Sequence, residues 1–380
     1  MAKRRPPPND RKSKNTRGNF ISEWFGQRVF PVVRLDVKAL RRDACPFLSD
    51  VLEESTACVK NENSKGVCTI SSASNGPRQD WLVCPYRVID TEIVTGACER
   101  IFRSKLAARP TAASLLANSK IRDAFQRRVA KAGVGYLFFQ DKLGGEISVL
   151  GTNKSPEIAF DITVVEIRYV AGRFVLERYG ILEVQTMDFH GSYKKAVSNL
   201  RDALRLHKSR FSKVLSANLS WTGEGVEGPN IANVFKRTFY QVMLKFELGR
   251  KGAAAGTVLA IPQSVWDSWQ PFLGAPVLEA QGNGTFVIGG GAATRDSGPN
   301  AHICVFDLDV ESPQPISDVR IKQFIRVSPE QLSHHAFSVV PENMLEAVKG
   351  ESSILAIIKA RMRPLWPEVE IPGDEENSRT

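Results

Sequence analysis

PEIAFDITVVEIRYVAGRFVLERYGILEVQ, residues 156–185, is the stretch around which the chain is organised. Up to Ala171 it is rich in Val and Ile, as a strand is. After Arg173 a second strand runs to Gly180-Ile181-Leu182-Glu183-Val184-Gln185. Ala171-Gly172-Arg173 is the expected turn, because Gly172 is free to take φ > 0. A hairpin folded symmetrically about Gly172 sets Asp161 opposite Glu183, and opposed residues share a face with Cβ atoms about 5 Å apart. Gln185, two residues on, faces the same way. Their neighbours Phe160, Ile162, Ile181, Leu182 and Val184 are core-like. Two carboxylates pressed together on an apolar ribbon repel and lose hydration, a cost that a cation between them offsets. Such a pair suits a Mg²⁺ site for phosphodiester cleavage. The competing reading is two solvated strand ends, and a one-residue slip would put the carboxylates on opposite faces.

Composition narrows the class. The chain has 380 residues, 42% hydrophobic and 24% charged, in the range of a globular protein with a sizeable core. No apolar run approaches the length of a transmembrane helix, and the basic N-terminus lacks the apolar run of a secretory signal. The expectation is a cytoplasmic protein with reduced thiols and no membrane partner. A net charge of +10 favours a polyanionic partner. Residues 1–17, with seven Lys/Arg and one Asp, are expected to form a disordered basic arm, serving either DNA phosphates or solubility.

Four of the six cysteines, Cys45, Cys58, Cys68 and Cys84, fall close together, with 12, 9 and 15 residues between them. Pro follows Cys45 and Cys84, and Gly66 precedes Cys68 by two, which suits tight turns around a metal. There is no Cys-x-x-Cys knuckle, so buried free thiols or a disulfide remain alternatives to a tetrathiolate site.

Further along, 101–126 reads as one or two helices and 136–139 as a strand. Lys142-Leu143-Gly144-Gly145-Glu146 follows, and Glu146 is a candidate third carboxylate or a solvated loop residue. Beyond Gln185 a helix carries Ala196, Val197, Leu200, Ala203 and Leu204 on one face. Lys194 and Lys195 at its start are candidate phosphate contacts, or a solvated face. His190 is a candidate base, or a turn residue beside Asp188. Residues 230–250 form a patterned helix with core stripe Phe235, Phe239, Val242, Met243 and Phe246; Lys236 and Arg237 lie off it. Val258–Ile261 is a strand closed by Pro262, and Gln263 is suited either to a base edge or to a turn. The last third is β-rich, with a hairpin about Gly282-Asn283-Gly284, a strand at 302–307 and a helix over about 342–362.

Asp161 with Glu183-Val184-Gln185 resembles the PD-(D/E)xK nuclease core with Gln in place of Lys. GILEVQTMDFHGSYKKAV (180–197), GPNIANVFKRTFYQ (228–241), AIPQSVWDSW (260–269) and QDKLGGEIS (140–148) resemble NotI-like type II restriction endonucleases. So do GNFISEWFGQRVFP (18–31) and DWLVCP (80–85); the likeness runs from about 18 to 269 and is weak in 98–135, 205–227 and the C-terminal hundred residues.

The resemblance implies an α/β fold, a mixed sheet flanked by helices, with a small four-cysteine metal-binding module. It implies 18–97 as the module region, 98–365 as the nuclease and DNA-recognition domain, and 366–380 as a polar tail. Mg²⁺ would be held by Asp161, Glu183 and the Val184 carbonyl, with Gln185 and Glu146 as further catalytic residues. Iron, or zinc, would sit on the four cysteines. Lys194, Lys195, Lys236, Arg237 and Gln263 become candidate DNA contacts. The partners implied are duplex DNA with a GC-rich palindrome, a second copy of the chain, and a cognate DNA methyltransferase in the host. A repair or junction-resolving nuclease, and a metal-stapled DNA-binding regulator that does not cut, are the other readings of the same residues.

Overall fold

The computed structural model describes residues 18–74, 77–89, 92–289, 300–309, 314–348 and 354–367. The basic arm and nearly all of the polar tail lie outside them. Near the N-terminus, β1 (Asn19–Trp24), β2 (Gln27–Arg28), β3 (Val67–Ser72) and β4 (Gln79–Leu82) form an antiparallel sheet in the order β2-β1-β3-β4. The remaining strands are β5 (Thr111–Ala112), β6 (Val134–Phe139), β7 (Ile147–Val149), β8 (Ile158–Phe160), β9 (Ile162–Val170), β10 (Arg173–Val184), β11 (Phe189–Gly191), β12 (Val226–Pro229), β13 (Ala254–Pro262), β14 (Leu278–Gly282), β15 (Thr285–Ile288), β16 (Ala301–Leu308) and β17 (Val319–Arg326).

Nine of these build one mixed sheet in the order β14-β15-β17-β16-β13-β10-β9-β6-β5. β13 runs parallel to both β10 and β16, while β6, β9 and β10 are antiparallel. The central strands β13 and β16 carry continuous apolar runs, 258–261 and 303–306, as strands covered on both faces do. Helices flank the sheet, so the α/β expectation with a large mixed sheet holds. β10 is exposed in its first half and buried in its second, so the hairpin tip projects into solvent while its base lies in the core. One apolar cluster joins Cys45, Phe47, Leu82 and Cys84 to Ala97, Ile101, Val164, Leu182, Val258 and Phe306. The cysteine-rich region and the large sheet thus share a core.

Two helix expectations need correction. Residues 101–126 are not helical throughout: a helix Glu92–Phe102 ends there, β5 and a 3-10 turn follow, and a second helix spans Ser119–Ala132. Pro110 cannot continue a helix, and the Asn118 side chain accepts from Lys120 N–H to start the next one. The C-terminal helix begins earlier than 342. Ser328 and Gln331 form a capping box at Pro329–His334, a π turn (His335–Val339) leads into Val340–Ala347, and Ile354–Met362 is separate. The wider turn precedes Pro341, which has no N–H to give the helix.

Buried ion pairs tie the small sheet to the strand region behind it. Arg87 holds Glu23 through two bonds of 2.9 and 3.1 Å and also reaches the Ser317 carbonyl. Arg28 pairs with Asp80 at 3.0 Å and donates to Ser317 Oγ at 2.8 Å. Arg87→Met would leave the buried Glu23 carboxylate without a cation, and urea denaturation should show a loss of about 3–5 kcal/mol. The paired Glu23→Leu/Arg87→Met variant should regain most of it.

Candidate active site and cysteine cluster

The hairpin reaches the expected pairing by a different route. Its turn is two residues, Ala171-Gly172, with φ of 48° and 78°. A two-residue turn with both φ positive matches the twist of the strands. From Arg173↔Val170 to Leu176↔Ile167 this register alone would bring Asp161 opposite Leu182, on the wrong face. A bulge at Glu177 adds one residue, and from Arg178↔Glu166 to Leu182↔Ile162 the strands are shifted by one. The next pair in that register is Asp161 and Glu183. Ion pairs hold the bulge on both sides, Arg178 Nε to Glu166 at 2.7 Å and Arg168 Nε to Glu177 at 3.1 Å. The three-residue turn of the sequence reading is therefore replaced by a shorter turn and a bulge, and the two differences cancel.

The Asp161 and Glu183 carboxylates each accept from a backbone N–H of the facing segment. Asp161 N–H donates to Glu183 Oε1 at 3.2 Å, and Val184 N–H donates to Asp161 Oδ2 at 2.9 Å. Glu183 is only 7% exposed. Burial, then the neighbouring Asp161 charge, push its carboxyl up to about 8, against the opposing pull of Lys245. Glu146, on the exposed loop after β6, lines a small pocket with Asp161, Val184 and Gln140. Its carboxyl is also raised, by partial burial and then by Asp161. Gln185 is half-buried; its Oε1 accepts from Thr238 Oγ1 and its Nε2 donates to the Thr186 carbonyl.

Lys245 was not among the sequence candidates. It sits on the helix Ile231–Leu248, buried, with Nζ bonded to Glu183 Oε2. The buried face of that helix is Val234, Phe235, Thr238, Val242, Lys245 and Phe246, rotated slightly from the expected stripe; Phe239 and Met243 are half-buried. The available signal was a lysine standing within an apolar stripe.

The four N-terminal cysteines are gathered. Bridged residues Ala44 and Ala57 bring Cys45 beside Cys58, and Val83 N–H bonds the Cys68 carbonyl at 3.0 Å beside Cys84. Each sulfur meets backbone N–H groups. Gly26 N–H donates to Cys68 Sγ and Gly66 N–H to Cys58 Sγ, both at 3.3 Å. The N–H groups of Leu48 and Phe47 favour a Cys45 thiolate, and those of Tyr86 and Arg87 favour one at Cys84. Gly66 has φ of 82°, and a Cβ there would come within 2.6 Å of the Phe25 ring, so only glycine brings that N–H to the sulfur.

Burial outweighs these donors. Cys45 is pushed up to about 11, and Cys68 and Cys84 are raised as well, in part because the thiolates would repel one another. Among the described residues no group of three or more His, Cys, Asp or Glu is drawn close enough to hold an ion. The donor type alone suits a thiolate-binding metal: each of the four sulfurs faces backbone N–H that stabilises the thiolate form a metal requires. Cys98 and Cys304 are fully buried in the shared core.

The candidate DNA contacts divide. Lys194, Lys195 and Lys236 are exposed. Arg237, also exposed, is paired with Asp188 on the loop after β10, and Gln263 Nε2 is bonded to Asp267 at 2.7 Å. His190 and Asp267 line one cleft together with Gln79, Trp81 and Asn230. His190 therefore belongs to that cleft and not to the pocket holding Asp161, which speaks against a catalytic base; it stands on the short strand β11 and not in the expected turn.

No protein-family model matches the chain, and no curated protein matches it.

The raised Glu183 carboxyl has a consequence for stability. Its ordinary value is 4.5, so between pH 4.5 and about 8 the native chain keeps a proton that the unfolded chain has released. Without divalent metal, Glu183 lowers stability as pH rises through that window and adds no further slope above it. Thermal midpoints measured across the window should fall less steeply in Glu183→Gln, and saturating Mg²⁺ should flatten the wild-type slope.

Proposed function

We propose that the chain is a Mg²⁺-dependent endonuclease of duplex DNA, of the PD-(D/E)xK kind and resembling NotI-like type II restriction enzymes. The observation that carries this reading is the crossed pair of backbone bonds that fixes Asp161 and Glu183 side by side at the buried end of one hairpin. Two carboxylates so placed are costly unless a cation is bound. The large mixed sheet with flanking helices is compatible with such a core.

Asp161, Glu183 and the Val184 carbonyl would hold the ion, with Glu146 across the pocket as a ligand for a second one. Bound there, Mg²⁺ lowers the pKa of a water and neutralises charge on the phosphate. Gln185 orients water through its amide but brings no charge. Arg237 and Gln263 face guanine-rich base edges once released from Asp188 and Asp267, and Lys194, Lys195 and Lys236 meet phosphates. The four cysteines hold one iron or zinc that braces the N-terminal sheet. A closed four-sulfur shell leaves no position for substrate. A two-fold dimer would cut both strands of a palindrome, GCGGCCGC or its inner CGGCCG.

The test is digestion of genomic DNA with Mg²⁺ and sequencing of the ends. Ends centred on GGCC support the reading, and intact DNA refutes it in favour of a non-cutting DNA-binding protein. Asp161→Asn and Glu183→Gln should each abolish cleavage while binding is kept or tightened, because phosphate repulsion falls. Near wild-type cutting by either would remove that residue from the ion site.

Elemental analysis should find one iron or zinc per chain, lost together with solubility in Cys68→Ser. Cys304→Ala should fold and keep the metal. Alanine is the fair control there, since a serine hydroxyl at that buried position would go unsatisfied.

A further inference from the structure

Two buried positions on the helix Ile231–Leu248 are polar, and both meet the candidate site. Thr238 and Lys245 are seven residues apart, two turns, and so share a face. Glu183 and Gln185 are alternate residues at the end of β10 and also share a face. The faces meet with Thr238 Oγ1 on Gln185 Oε1 and Lys245 Nζ on Glu183 Oε2. Lys245 is 5% exposed. A lysine is almost never buried unless paired, and here an apolar residue would have continued the stripe. Its carbonyl is pinned by Thr257 Oγ1 at 3.1 Å, which fixes where the side chain begins.

The ammonium faces a group of acids. It contacts Glu183, which lies beside Asp161, and its charge acts on the Glu146 carboxyl more strongly than that of Lys142 does. Glu183 is thereby held at both oxygens, Oε2 by Lys245 and Oε1 by Asp161 N–H. Just past the end of β10, the next position of this face is the neutral Gln185.

We propose that Lys245 is a positioning residue of the cleavage site, supplying from the helix the positive charge that Gln185 lacks on the strand. It acts through Glu183, fixing that carboxylate against Asp161 and keeping a cation behind the two carboxylates. This rests on the nuclease reading above. A purely structural lysine would only offset the burial of Glu183.

The experiment measures single-turnover cleavage of duplex DNA at varied Mg²⁺ by wild type, Lys245→Met and Lys245→Met/Gln185→Lys, each with a thermal melt. Lys245→Met should lose about 100-fold in kcat at saturating Mg²⁺ with KM for DNA little changed. Its half-saturating Mg²⁺ should stay the same or fall, because a cation has been removed from beside three carboxylates. The double variant should regain most of the lost rate, since the charge returns at the strand position.

A folded Lys245→Met with wild-type kcat, or one restored fully by more Mg²⁺, overturns the inference. If Lys245→Met does not fold, the double variant decides alone: folded and cutting supports the inference, and inactive or unfolded overturns it. Wild-type protein that leaves DNA intact brings down the nuclease reading and this inference together. Wild-type cleavage with an unaffected Lys245→Met brings down this inference only.

Discussion

Burial of the Asp161–Glu183 pair at the base of one hairpin is the constraint on which the site depends. Hydrophobic burial draws the base of the β9–β10 hairpin into the core, and it takes two carboxyl groups with it. The chain meets that cost locally. Backbone N–H groups of each strand bond the carboxylate of the other, and a buried ammonium closes the arrangement from behind. None of these devices offsets the burial of Glu183 and, after it, the neighbouring Asp161 charge, and the Glu183 carboxyl stays far above its ordinary range. A bound cation would offset that cost, which is why the hairpin carries the proposed reading.

The cysteine cluster repeats this logic in softer chemistry. Buried thiols gain from apolar surroundings only while protonated, and the N–H groups aimed at the four sulfurs would be wasted on neutral thiols. Both centres pack into one apolar cluster with the helix Glu92–Phe102 and the central strands. A metal on the cysteines would therefore stiffen the same core that seats the carboxylates. The buried Arg87–Glu23 and Arg28–Asp80 pairs converge on Ser317 and fasten the small sheet from its other side.

The side chains suited to base edges are occupied in the free chain. Arg237 is held by Asp188 and Gln263 by Asp267, the latter an acid on the rim of the cleft that contains His190. Lys194, Lys195 and Lys236, by contrast, are exposed.

Local pattern determined much of this protein by itself. Runs of Val and Ile marked both strands of the hairpin. A 3.6-residue period marked the helix Lys194–His207 with all five of its expected buried residues. The spacing of four cysteines with their prolines and glycine marked the cluster. The face shared by Asp161 and Glu183 was also legible, although the turn and the bulge that produce it were not: a one-residue bulge leaves no mark on a hydrophobic pattern, and only the ion pairs of Glu166 and Glu177 across the strands reveal it. Tertiary structure alone decided Lys245, because a lysine inside an apolar stripe gains its meaning from the carboxylate on the facing strand. It also decided the place of His190, since the short strand β11 takes its direction from its pairing with the distant β12. Periodicity reports which face of an element is buried, and only the packed structure reports what that face meets.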